Sequence, residues 1–181
     1  SPRSGASEAW TWLQVAWQER GAAMGAVCAN CHNKTYVDNF YRQYDSLVEL
    51  YNEKFAKPAQ EMMNDLTKDG VLNPAAPFEH DVQWISYELW HHEGRRARHG
   101  ASMMGPDYTH WHGMYEVGKH YYTEFLPAVV EAAAAKSPEL GKKYKQRIDT
   151  MLTADEHRWI KGLSPAEAEA LRKMYKERYE P

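Results

Sequence analysis

Only two cysteines stand in this 181-residue chain, and both fall in one pentapeptide, Cys28-Ala-Asn-Cys31-His32. Three chemistries use a C-x-x-C pair. A dithiol redox site takes it beside a β-α-β unit, and this sequence shows no strand-like alternation to supply one. A structural zinc needs four Cys or His ligands, normally as two close pairs; no second cysteine pair exists, although histidine pairs lie downstream. The fused C-x-x-C-H form is the attachment motif of a c-type haem. Its spacing has a physical reason: each thiol adds across one vinyl group of the porphyrin, and the adjacent imidazole then lies beneath the iron. The spacing favours haem c, with Cys28 and Cys31 as thioether anchors and His32 as proximal iron ligand. Such attachment implies export across a membrane.

Seven of the nine histidines lie between His80 and His120. His92 and His99 are seven apart, two turns along one helical face. His112, Glu116 and His120 follow at four-residue steps, Tyr108 precedes His112 by four, and Tyr115 lies beside that face. Singly, each histidine is most simply a surface or core residue with ordinary hydrogen bonds. As a group they are too concentrated for that, and one haem needs only one distal ligand. The field therefore implies more haems nearby than this chain attaches. Arg95, Arg96 and Arg98 suit haem propionates, which take bidentate guanidinium partners. Salt bridges to Glu93 and its neighbours account for them equally well.

The elements that must position these residues read as helical almost throughout. Ser7 caps a first helix carrying Trp10, Leu13, Trp17 and Met24, which should loosen at Gly25. A second runs from Thr35 to about Lys68 with Tyr36, Phe40, Tyr44, Leu47, Leu50, Tyr51 and Phe55 as its apolar stripe. Pro58 should kink it and Gly70 stop it. A third covers about Glu79 to Ala101. Pro106 opens a fourth, Ser137-Pro138 a fifth, and Thr153-x-x-Glu156 and Ser164-Pro-x-Glu167 read as capping boxes for two more. The expectation is an all-α fold in a single unit: 1–34 with the attachment motif, 35–136 with the His/Tyr cluster, and 137–181 with charged C-terminal helices.

Composition sets outer limits. Hydrophobic residues are 43% and charged residues 26%, a globular balance. Seven tryptophans and twelve tyrosines suit packing against large flat groups. A net charge of −3 gives no case for nucleic acid. The longest apolar run, near Leu126–Ala135, is too short to span a bilayer and carries Pro127 and Glu131. The opening SPRSGASEAW lacks the apolar core of a signal peptide, which reads as a processed form or the tail of a longer protein.

The stretch WHHEGRRARHGASMMGPDYTHWHGMYEV, Trp90 to Val117, resembles the hydroxylamine oxidoreductase family of octahaem c-type cytochromes, which includes the hydrazine dehydrogenases. CANCHNKTYVDNFYRQYD, Cys28 to Asp45, resembles that family's last haem site and the long helix after it. The likeness implies a helical, trimeric, periplasmic or anammoxosomal enzyme with seven bis-histidine haems and one catalytic haem. It also implies a tyrosine from the neighbouring subunit bonded to the catalytic haem, and a small cytochrome c as electron acceptor. On that likeness Tyr108 is the candidate for the cross-link, with Tyr115 as the fallback. His99 and then His112 are candidate distal iron ligands, His91 and His92 weaker ones, and Arg95 and Arg98 candidate propionate partners. A full family member has eight C-x-x-C-H motifs and this chain has one. It is therefore expected to act with the remaining multihaem part of such an enzyme on hydroxylamine or hydrazine. The alternative is a non-catalytic, or nitrite-reducing, electron-transfer subunit. A zinc-bound helical interaction domain is a third reading.

Overall fold

The computed structural model describes residues 15–179, and all regular structure among them is helical. Ser7, Trp10 and Leu13 lie outside the described residues. The fold is all-α, as the spacing predicts. Among the described residues, no helix is long and apolar enough to cross a membrane. Chain contacts divide it into two compact units, 1–49 and 50–181.

The first unit is a helical hairpin. Helix α1 (Trp17–Cys28) runs straight through Gly25, where the sequence suggests loosening. Val37 and Tyr41 lie over that glycine, at 3.8 and 4.0 Å from the Cβ it lacks, an ordinary packing distance. The linker is closed by its asparagines. The Asn30 amide donates to the Val27 carbonyl at 3.0 Å, ending α1. The Asn33 side chain accepts from the Tyr36 N–H at 2.9 Å and so caps α2 (Lys34–Tyr51). On α2 the inward face centres on Val37, Tyr41 and Tyr44 rather than on Tyr36, which is exposed.

The second unit holds the core. A π turn over Asn52–Ala56 precedes α3 (Lys57–Lys68). Pro58, expected to kink the helix, stands in the first turn of α3 directly after that π turn. Gly70, at φ +69°, ends α3 as expected. Helix α4 (81–102) and helix α5 (106–136) each contain π turns, at Glu88–Glu93 in α4 and at His110–Tyr115 and Tyr121–Phe125 in α5. Pro106 is the first residue of α5. Ser137 accepts from the Leu140 N–H at 3.2 Å and caps α6 (Pro138–Met151). Ser164 and Glu167 form the predicted capping box at the head of α7 (Pro165–Tyr179). The second predicted box does not form: the Thr153 hydroxyl donates back to the Thr150 carbonyl at 2.6 Å, and a 3₁₀ turn over Asp155–Lys161 follows.

Tyr51, Phe55, Met62, Leu66, Tyr121 and Phe125 lead a core shared by α3, α4, α5 and α6. Gly141 lets α6 lie against Ala134 of α5, whose Cβ would stand 2.7 Å from an added Cβ. At the rim, Asp69 accepts from Lys143 at 2.6 Å and from the Tyr144 hydroxyl at 2.9 Å, and Asp65 pairs with Arg147. The Lys143 and Tyr144 contacts hold the Asp69 carboxyl below its ordinary 3.8.

Candidate functional site

The first candidate site is the linker between α1 and α2. Backbone bonds from Cys31 and His32 to the Cys28 carbonyl, at 3.1 and 2.9 Å, wrap Cys28-Ala-Asn-Cys31-His32 into one tight turn. Both cysteines are free thiols; Cys28 is half-buried and Cys31 exposed. The exposed His32 ring stacks on Tyr36 with centroids 4.6 Å apart. Further along the hairpin, α1 and α2 enclose a groove of about 870 Å³ that Cys28, Cys31 and His32 do not line. Gly21, Ala22, Gly25 and Ala26 of α1, with Gln18 and Ala29, face Val37, Tyr41 and Tyr44 of α2 across it, and Lys34, Asp38 and Asp45 also line it. Burial raises the Tyr41 phenol above its ordinary 10.0, and the Cys28 and Asp45 charges add to the rise.

These features fit a covalently held macrocycle. Both thiols and the imidazole are on one turn, as C-x-x-C-H attachment requires. The small-residue wall leaves room for a flat group against Val37, Tyr41 and Tyr44. Among the described residues no group of three or more His, Cys, Asp or Glu is arranged to hold a metal ion.

The second candidate site lies where α4 meets α5. The corner is built by close approach. An added Cβ at Gly100 would stand 2.8 Å from the Thr109 nitrogen, and one at Gly113 would stand 2.6 Å from the Ala97 Cα. The Thr109 hydroxyl donates to the Gly105 carbonyl at 2.8 Å, and Gly105 N–H donates to Gly100, closing the turn. Met104 takes the left-handed backbone there, at φ +55°.

This corner brings His91, His92, Arg95, Arg96, His99 and Tyr108 around one groove of about 560 Å³. Tyr108 is 58% exposed, and its phenol makes no hydrogen bond among the described residues. Its ring lies 5.7 Å from that of His112. Tyr115 is equally exposed but packs beside Trp111, outside the groove. His112 sits between Asp107 at 3.7 Å and Glu116 at 3.5 Å. His91 stacks on Tyr87 with ring centroids 4.7 Å apart.

The arginines divide. Arg95 is exposed in the groove. Arg96 bonds Glu116 at 3.1 Å and the His92 Nε2 at 2.7 Å. Arg98, expected to face propionates, turns inward: its Nε donates to the Gly94 carbonyl at 3.0 Å and its guanidinium lies 4.9 Å from the Tyr51 ring centroid. Gly94 makes room for that ring, since a Cβ there would overlap the Tyr51 hydroxyl.

Sequence reasoning missed Glu93. It is 2% exposed, between buried Leu89 and Ala97 on the inward stripe of α4. Its Oε1 lies 3.3 Å from His92 Nδ1 and 3.1 Å from His120 Nδ1, while Oε2 has no hydrogen-bond partner among the described residues. A carboxylate at a four-residue step between two apolar residues was the available signal.

No family model, curated protein or solved structure matches this chain.

Proposed function

We propose that this chain is the C-terminal part, or a subunit, of a multihaem oxidoreductase of the hydroxylamine oxidoreductase type, exported from the cytoplasm and acting on hydroxylamine or hydrazine. One electron-transfer haem c is held by Cys28 and Cys31, with His32 on its iron. Tyr108 is donated to the catalytic haem of a neighbouring subunit. The observation that carries the reading is the Cys28–His32 turn, which sets two free thiols and an exposed imidazole on one loop.

The haem, when bound, supplies reversible one-electron iron chemistry. The residues of this chain do the rest. Cys28 and Cys31 fix the position of the group, and Tyr41 and Tyr44 shield one side of it from water. Exclusion of water is one of the levers by which a protein sets a redox potential. At the second site, the exposed Tyr108 phenol at the rim of a basic groove suits contact with a neighbouring molecule, and Arg95 suits an acidic group brought with it. A non-catalytic, or nitrite-reducing, electron-transfer subunit is the second reading. It is favoured by His99, which shares that groove and could be a distal ligand with Tyr108 serving only as a wall.

Intact mass of the native assembly under denaturing conditions tests the proposal. The expected result is one haem on this chain and a covalent link to a larger multihaem chain. Tyr108→Phe should abolish the link and Tyr115→Phe should preserve it. A haem-bearing chain with no link would leave only the electron-transfer reading. A colourless chain would overturn both.

A further inference from the structure

We propose that the exposed apolar face of α7 docks against the same face of a second copy of this chain, the two helices running antiparallel. The proposal does not use the haem reading, and a two-fold contact of this kind is distinct from a three-fold assembly.

Helix α7 has no buried residue. Yet Ala168, Leu171, Tyr175 and Tyr179 recur at steps of three and four along one face, and Leu163 in the preceding loop continues it. Together with Arg172 and Lys176 they line a groove of about 650 Å³. Leu163, Leu171, Tyr175 and Tyr179 are all exposed. A helix of 15 residues is marginal in water by itself, and this stripe has no cover among the described residues.

Charge selects the occupant. The first half of the helix is acidic, with Glu167 and Glu169 on the two flanks of the stripe; the second half is basic, with Arg178 and Lys176 on the same two flanks. Glu167 shares its flank with Arg178, and Glu169 shares the other with Lys176. Glu177, the acidic residue of the second half of α7, lies on the far side and pairs with Lys173 at 3.9 Å. A parallel pair of copies would set acid against acid and base against base. An antiparallel pair sets Glu169 against Lys176 of the other copy, and Glu167 against Arg178 of the other copy. Both pairs are centred between Arg172 and Lys173, so one two-fold axis satisfies them together. The same register sets Leu171 against Met174 of the other copy. It also sets the small Ala168 opposite the stacked rings of Tyr175 and Tyr179, whose centroids are 5.8 Å apart. Such self-complementarity is what a two-fold contact requires. Arg172, near the axis, keeps Glu169 of its own chain at 3.5 Å. Glu167 already bonds Ser164 and Arg158, so Glu169 and Lys176 are the pair to test. About four turns of helix make a smaller contact than a permanent interface, and the pairing is therefore reversible.

Sedimentation velocity of the isolated native protein over a concentration series tests this. The expected result is a reversible doubling of mass that salt weakens. Glu169→Lys should weaken self-association by about tenfold or more, because two attractive pairs become two repulsive ones. Lys176→Glu should do the same. An equimolar mixture of these two variants should associate as the parent does, because each supplies the charge that the other lacks. Both changes in one chain should also restore pairing, and that variant decides the matter if either single variant fails to keep its helices by far-ultraviolet circular dichroism. A parent of constant mass across the series overturns the proposal, whether the face stays bare or a different chain is found on α7. A mixture that stays dissociated while the parent pairs overturns the antiparallel register. A colourless protein that pairs removes only the haem reading; a red protein that does not pair removes only this one.

Discussion

Gly113→Ala offers the sharpest test of how the α4–α5 corner is held. The added methyl would stand 2.5 Å from the Tyr108 carbonyl oxygen, 2.6 Å from the Ala97 Cα and 2.8 Å from the Ala97 Cβ. Two of these are backbone atoms, so no side chain can swing aside, and the helices must separate. Forcing a methylene into such a space costs about 1–3 kcal/mol, and three simultaneous contacts argue for the upper end. Against it stands the gain of about 1 kcal/mol for alanine over glycine in a helix. The net expectation is a loss of about 2 kcal/mol. Gly118 supplies the matched control, because it lies on the same helix with nothing within 4 Å of an added Cβ. Gly118→Ala should therefore stabilise, by up to about 1 kcal/mol. Urea unfolding followed by far-ultraviolet circular dichroism reads both, provided the slopes stay equal. If the two variants move the midpoint in the same direction, the corner is not held by backbone contact and the reasoning fails.

On the proposed haem attachment, replacing both Cys28 and Cys31 with serine should release the group to acidified organic solvent, whereas the parent should hold it in the denatured chain; a single replacement should leave one thioether. Burial depresses His157 below its ordinary 6.5, with the Lys54 charge acting in the same direction. A folded-state value below the unfolded one means its contribution is present above 6.5 and is lost as pH falls toward the depressed value. The Asp155–Lys161 turn, tied to α5 by the 2.7 Å contact between the Tyr122 hydroxyl and His157 Nδ1, should loosen on mild acidification, as read by Trp159 fluorescence. Tyr122→Phe should flatten that response. Asp69→Asn should lower stability above pH 3.8, where the parent carboxylate is charged and paired, and should converge with the parent as pH falls below that value; acid titration of the unfolding midpoint checks it.

What could be read from sequence was local chemistry. Ser137, Ser164 and Pro106 announce helix starts because a side-chain oxygen or a fixed φ acts on residues next to it. Gly70 marks a stop because only glycine adopts its backbone cheaply. The C-x-x-C-H reading at Cys28–His32 likewise draws only on five adjacent residues. Features made by tertiary contact were not. Gly25 was expected to loosen α1 because nothing local shows that Val37 and Tyr41 would lie over it. The π turns of α4 and α5 shift which residues share a face, and nothing local shows Arg98 turning toward Tyr51. Glu93 was passed over because its charge argued for the surface, while its place between Leu89 and Ala97 argued for the core.

The corner at Gly100, Ala97 and Gly113 has one more consequence. Two helices that touch through their main chains have almost no slack, so His99 and Tyr108 keep their separation whether or not anything occupies the space between them. Whatever docks there meets a surface whose ordering was completed when the polypeptide folded, and little conformational freedom remains to be lost on contact. Adjustment to a poorly shaped visitor would fall to the exposed Met103 side chain, the softest component of that rim.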